Sequence, residues 1–275
     1  MVNLMLAVVS SMLVSVTMRA SEGRAKNNLS MLAANYLMCA ALSAAFAGAP
    51  GAAQGWGTAI GLGLVSGAMY LGSFMLLQWN ISVNGVALPA TFMKLGVLAP
   101  TLMSVVFFGE RMSAAQVTGF ALAVAAILMI RMERGQGRAK NAAGLIVLLL
   151  GGGLTDALSK IYEVYGEPAL KDHYLLITFA AALVLCAALA ALRGQGLTRS
   201  DLLCGLLIGV PNYFSARFLL LSLADVPAVI AYPTYSVATI VLVALAGRFA
   251  FGERLSRRQL CAMGVILAAL ALLNL

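Results

Sequence analysis

The sequence predicts an all-α integral membrane protein with ten transmembrane helices, arranged as two inverted five-helix repeats. Three observations lead there. Hydrophobic residues fill 62% of the 275 positions and charged residues only 10%, whereas an ordinary water-soluble domain carries about a quarter charged residues. The apolar stretches run long enough to cross a bilayer, which takes about 20 mostly apolar residues. One polar phrase is also written twice, FGERMSAAQ at Phe108–Gln116 and FGERLSRRQ at Phe251–Gln259, an offset of 143 positions.

The first half supplies spans Val2–Met18, Leu29–Phe46, Thr58–Leu77, Gly85–Phe108 and Ala114–Ile130. The second supplies Ala142–Tyr162, Tyr174–Leu192, Leu202–Leu223, Ala228–Phe251 and Gln259–Leu273. None alternates with period two, which argues against a lipid-facing barrel, and helices satisfy their own backbone in lipid. Val2–Met18 lacks a basic segment ahead of its apolar run and a convincing small-residue cleavage pattern, so it reads as a retained span. The repeated phrase sits between the fourth and fifth span of each half. Gly109 and Gly252 permit a tight reversal, and Ser113 with Gln116, like Ser256 with Gln259, spells a capping box for the next helix.

Other pairs repeat at nearly the same distance: Pro89 with Pro233, and Gly61 with Gly205. Five crossings is an odd number, so the second copy enters the membrane from the opposite side. Inverted repeats follow from parity, and secondary transporters share this plan. The expected boundaries are a first repeat over 1–131, a basic linker over 132–141 and a second repeat over 142–275.

The net charge of +8 reports topology. Most of the basic residues flank odd-numbered spans: Arg19, Arg24, Lys26, Arg131, Arg134, Arg138, Lys140, Arg193, Arg199, Arg248, Arg254, Arg257 and Arg258. Only Arg111 and Lys171 fall after even-numbered spans. Basic loops stay cytoplasmic, which places both termini outside and removes the reason to invoke nucleic acid. Cys39, Cys186, Cys204 and Cys261 all lie in spans without CxxC spacing, so neither disulfides nor a metal site is expected.

Two five-helix halves, each closing with Gly-Glu (Gly109–Glu110, Gly252–Glu253), a short polar turn and a Gln before the last helix, resemble the EamA-type drug/metabolite transporter superfamily. The resemblance covers essentially the whole chain. It implies a ten-helix carrier, often an exporter, of amino acids, sugars, nucleotides or toxic cations, in the plasma (inner) membrane. It also implies termini in the cytoplasm, against the charge pattern.

A charge at mid-bilayer costs about 2.5–3.5 kcal/mol on the most lenient scale, so charged residues inside spans are the informative ones. Lys94, Asp156, Lys160 and Arg217 are such residues, with Glu163 nearer a span end. Asp156, Lys160 and Glu163 share a helix face. Either Asp156 and Lys160 neutralise each other, or Asp156 exchanges protons and Lys160 modulates it. Arg217 shares a face with Tyr213 and with Gly209 and Gly205, and the two glycines let helices approach closely. It is a structural arginine bonded to helix ends or Asp156, or a fork that grips a carboxylate or phosphate.

Lys94 lies with Thr91 between Pro89 and Pro100, where free carbonyls expose polar backbone around a midplane site; the alternative is snorkelling to an interface. Tyr232, Tyr235 and Thr239 form a stripe on the ninth span, and Ser66, Tyr70 and Ser73 one on the third. These read as cavity lining or as packing. Cations outnumber acids at membrane depth, which tilts the expectation toward an anionic or zwitterionic substrate.

An enzyme would need a reactive constellation. There is no HExxH, paired aspartates or nucleophile elbow, the GGG at Gly151–Gly153 lies inside a span, and the sole histidine, His173, reads as a solvated loop residue. No cofactor is expected. The expected partners are a small-molecule substrate and the bilayer, with the chain a monomer or homodimer. Rival readings are a lipid or glycolipid flippase, an exporter of toxic organic cations, and a structural partner subunit.

Overall fold

Helix is what apolar segments adopt when their amides have no water to bond. A computed structural model describes residues 1–21, 23–48, 54–84, 92–93, 95–131, 141–250 and 257–275, and among them it contains ten α-helices and no strand. The helices are α1 Val2–Ser21, α2 Asn28–Ala47, α3 Trp56–Asn84, α4 Leu98–Phe108, α5 Ala114–Arg131, α6 Ala142–Tyr165, α7 Lys171–Leu192, α8 Arg199–Ser222, α9 Ala228–Ala250 and α10 Arg257–Leu273. A 3₁₀ turn, Pro168–Leu170, precedes α7. Among the described residues, seven helices are long and apolar enough to cross a membrane; Leu98–Phe108, Ala114–Met129 and Met263–Leu273 are shorter apolar stretches.

The fourth span departs from its expected form. Residues 92, 93 and 95 are helical, Gly96 and Val97 form a turn, and α4 then runs for only 11 residues. Restarting the helix at Leu98 places Pro100 in its first turn, where a missing amide breaks no helical hydrogen bond. At the other end Gly109 adopts φ +68°, the left-handed conformation that closes helices. The capping box forms reciprocally. Ser113 N–H donates to Gln116 Oε1 at 3.0 Å and Gln116 N–H to Ser113 Oγ at 3.2 Å. Gly252 and Ser256, the second copy of this turn, lie outside the described residues.

The chain divides into two compact units. One comprises Met1–Leu71 and Ile161–Ser222, the other Gly72–Lys160 and Leu223–Leu275. Each draws on both halves of the sequence.

In the first unit α2 packs on α7 and α8, and α1 lies on α8. Glycines set the approach. A Cβ on Gly205 would overlap the Met31 carbonyl oxygen and lie 2.5 Å from Ala34 Cβ; on Gly209 it would lie 2.6 Å from Asn35 O and Met38 Cβ. Gly63 and Gly67 of α3 meet α7 in the same way. A Cβ on Gly63 would lie 2.8 Å from Ile177 Cγ2, and one on Gly67 2.6 Å from Thr178 O and Ala181 Cβ. The residues met correspond at the offset of the repeated phrase, 143: Ala34 with Ile177, Asn35 with Thr178, Met38 with Ala181.

Four rings in the core of this unit obey the same offset. Tyr36 meets Tyr70 edge to face, with centroids 6.0 Å apart; Phe179 meets Tyr213 edge to face at 6.4 Å; and Tyr36 stacks on Phe179 at 6.3 Å. At one end of the unit the buried Asp201 ties two loops together. Its Oδ1 accepts the amides of Lys26 (2.7 Å) and Asn27 (3.1 Å), and its Oδ2 accepts the Thr198 amide (3.1 Å) and hydroxyl (2.7 Å).

In the second unit α5 packs on α10, and α9 on α4 and α10. The end of α3 lies against α6, where Asn80 Nδ2 donates to Gly144 O at 3.0 Å. Within the glycine run of α6, a Cβ on Gly153 would fall 2.5 Å from both Gly96 O and Ala99 Cβ. Gly153 serves close helix approach.

Candidate functional site

Polar atoms buried in an apolar helix bundle are costly unless they are bonded. Their partners therefore show what each charge does. In the first unit Arg217, on the last turns of α8, donates from Nε to Asp172 Oδ1 at 2.6 Å and from Nη2 to Asp172 Oδ2 at 3.1 Å. Such two-point geometry is available to a guanidinium and not to an ammonium. The Arg217 guanidinium carbon also sits 4.7 Å from the Phe46 ring centroid. Both partners are roughly four-fifths buried, with 20% and 24% of their side-chain surface exposed. The partner of Arg217 is thus Asp172, in the first turn of α7, and not Asp156.

Tyr213 stands one helical turn before Arg217 and is fully buried between Phe46, Phe179 and Phe214. Its hydroxyl has no hydrogen-bond partner among the described residues. Nearby in the sequence of α7, His173 is buried against Trp56, with ring centroids 4.9 Å apart, rather than solvated in a loop. The 3₁₀ turn ahead of α7 carries His173 into the helix and turns it inward. Tyr174 stacks on Tyr162 at 4.1 Å and shares a hydrogen bond of 2.9 Å with Ser66. Tyr70 lies in the same ring cluster, 6.0 Å from Phe179.

In the second unit Lys160 is buried and pairs with Glu110 at 2.9 Å. The Lys160 ammonium also lies 5.8 Å from the Phe108 ring centroid. The other Glu110 oxygen accepts the Val229 amide at 3.0 Å. One carboxylate thus neutralises a lysine of α6 and satisfies a free amide at the start of α9, where the helix dipole also favours negative charge.

Asp156 lies one turn from Lys160, and its backbone carbonyl accepts the Tyr232 hydroxyl at 2.7 Å. Tyr235 is half-buried one turn further along α9. Ser73 and Thr155 share a hydrogen bond of 3.3 Å between α3 and α6. The buried hydroxyls of Ser104, Thr234 and Thr239 have no partner among the described residues, so α4 and α9 present unspent polar atoms.

The structure therefore brings Tyr70, Tyr213 and Arg217 into one unit, and Asp156, Lys160, Tyr232 and Tyr235 into the other. Thr91 and Lys94 lie outside the described residues. The excess of cations anticipated at membrane depth does not hold for Arg217 or Lys160, because Asp172 and Glu110 balance them. Those two acids escaped sequence reading because they sit at span ends, where a charge is cheap. The available signal was that each lies within a turn of an apolar span. Among the described residues no three His, Cys, Asp or Glu side chains gather as a metal site.

Residues 172–266 match the model of the Small Multidrug Resistance protein family, which belongs to the drug/metabolite transporter-like superfamily. The match spans about a third of the chain, and the EamA-type resemblance rests on the sequence reading. An uncharacterized protein of Haemophilus influenzae (strain ATCC 51907 / DSM 11121 / KW20 / Rd) is 25% identical over 201 residues, 70% of this chain and 68% of that one. A protein known from its crystal structure shares the fold with a TM-score of 0.74 and 16% identity, over 98% of this chain and 94% of that one. Helices long and apolar enough to span a bilayer, together with a transporter-family match over 172–266, mark the chain as a multi-pass membrane protein. They point to small-molecule transport rather than catalysis.

Proposed function

We propose that the chain is a secondary active transporter of a small polar metabolite, an exporter working by alternating access and coupled to a proton or substrate gradient. The observation that carries this reading is the family match. The matched stretch, 172–266, contains Asp172, Tyr213, Arg217 and Tyr232. Two inverted repeats over 1–131 and 142–275 supply the architecture, and the packing that recurs at an offset of 143 in α2–α8 and α3–α7 supports them.

The paired charges refine the substrate class. Arg217 with Asp172, and Lys160 with Glu110, each offer one cation and one anion. A zwitterion such as an amino acid matches such a pair better than a pure anion does. Tyr213 contributes a buried hydroxyl without a partner among the described residues. Asp156, a carboxylate inside an apolar span, takes the proton-exchanging role, with Lys160, Tyr232, Tyr235 and Tyr70 as lining. Lys94 and Thr91 keep the same assignment from the sequence.

The matched family's name keeps a second reading in play, export of toxic organic cations. The test is flux from proteoliposomes carrying a pH gradient, measured for amino acids, sugars, nucleosides and quaternary amines. Wild type is expected to move a zwitterion, Arg217→Ala to lose at least about tenfold of that flux, the loss of a charged hydrogen bond, and Asp156→Asn to move it without pH dependence. Flux of quaternary amines alone would favour the second reading. Ordinary pH dependence in Asp156→Asn would remove the coupling role.

A further inference from the structure

An apolar groove of about 560 Å³ opens between α2, α7 and the turn that joins α7 to α8. Alanines line much of it, Ala33 and Ala34 from α2 and Ala187 and Ala191 from α7, with Leu37 and Leu197 alongside. Its two polar side chains bond within the protein. Ser30 Oγ donates to Gln195 O at 2.9 Å, and Gln195 Oε1 accepts the Leu29 amide at 3.3 Å. The lining is mostly alanine and leucine hydrocarbon, so the groove suits a hydrocarbon chain.

The mouth is different. The groove ends at Gly194–Leu197, which Arg193 precedes and Arg199 follows at two residues' distance. Lys26 is held beside the same turn, since its backbone amide bonds Asp201 and its neighbour Asn27 donates to Gly196 O at 2.7 Å. All three cationic side chains are exposed, and none forms a salt bridge among the described residues. The acid at this turn, Asp201, is fully buried with both oxygens taken by amides and by Thr198. Its single buried charge stands against three exposed cations, which leaves the rim net positive toward an incoming ligand.

An oily slot between spanning helices, next to a turn that carries exposed cations, has the two chemistries of one amphiphile. We propose that this groove is a binding site for an anionic diacyl phospholipid, with one acyl chain along the alanines and the phosphate at Lys26, Arg193 and Arg199. Basic pockets between spanning helices bind anionic headgroups in this manner. The site requires the chain to span a membrane and does not depend on what it transports. A seated lipid touches α2, α7 and α8 together with the Asp201 tie, so it should also brace that unit against unfolding.

The experiment uses the full-length protein, purified in detergent and delipidated. Native mass spectrometry and thermal unfolding are followed as phosphatidylglycerol, phosphatidylcholine or glycerol phosphate is added. Wild type is expected to retain phosphatidylglycerol roughly tenfold better than phosphatidylcholine, as three juxtamembrane cations allow, and to unfold at higher temperature with it. The triple variant Lys26→Gln, Arg193→Gln, Arg199→Gln should bind the two lipids alike. Ala187→Phe should lose both. The triple variant changes only exposed side chains, so it carries the test even if Ala187→Phe fails to fold. Equal retention of both lipids by wild type overturns the proposal. So does an undiminished preference in the triple variant, or equal protection by glycerol phosphate, which has no acyl chain.

Discussion

Arg217 engages both oxygens of Asp172 while lying over Phe46, and a largely buried pair of this kind cuts two ways. Removing one member strands the other, whereas replacing both with apolar side chains of similar volume is often neutral for stability. Asp172→Asn is therefore expected to lower stability by about 2 kcal/mol, the scale of a hydrogen bond to a charged group. The double variant Asp172→Leu, Arg217→Met should recover most of that loss in thermal unfolding yet stay inactive in proteoliposomes. A double variant that transports normally would make the pair purely structural.

Glu110 makes the same comparison sharper, because it serves Lys160 and the Val229 amide at once. Glu110→Gln keeps an acceptor for the amide but removes the carboxylate charge that Lys160 meets at 2.9 Å, and should cost about 2 kcal/mol, the scale of a hydrogen bond between charged groups. The exposed cap nearby sets the scale, since Ser113→Ala should cost only about 1 kcal/mol. Denaturation of the two variants in the same detergent would rank them, and equal losses would contradict the buried pairing.

At the level of the element, glycine decides which helices touch. Cβ atoms on Gly67 and Gly209 would meet backbone oxygens, Thr178 O and Asn35 O, at 2.6 Å. Backbone cannot rotate away as a flexible side chain can. Gly67→Val and Gly209→Val should each force α3 from α7 or α2 from α8, with a fall in melting temperature and in monodisperse yield. Gly61, where an added Cβ meets nothing within 4 Å, is the control. Gly61→Ala should behave like wild type, and equal damage there would show that these glycines matter for something other than approach.

For the whole molecule, an even number of crossings puts both termini on one side of the membrane. The positive-inside rule puts that side outside, whereas the EamA-type resemblance puts it in the cytoplasm. Reporters fused to each terminus, active only on one side, separate the two. Termini on opposite faces would contradict ten crossings altogether.

Composition determined that the chain lives in a membrane, because so few charges leave water no adequate surface to wet, and the lack of period-two alternation made it helical, since a helix satisfies its own backbone in lipid. The duplicated phrase, its capping box and the small faces of Gly205 and Gly209 were also legible, since these are local and depend on spacing along one helix. The partners of Arg217 and Lys160 were not. Asp172 and Glu110 lie 45 and 50 positions away in sequence, at span ends where acids carry no penalty that would single them out. His173 was misplaced for a related reason, since a histidine beside a loop is buried only when the turn before it aims it at a tryptophan from another helix. Only the tertiary structure decides such pairings, because the energy of a charge in lipid depends on what stands opposite it, and that is set by how helices pack.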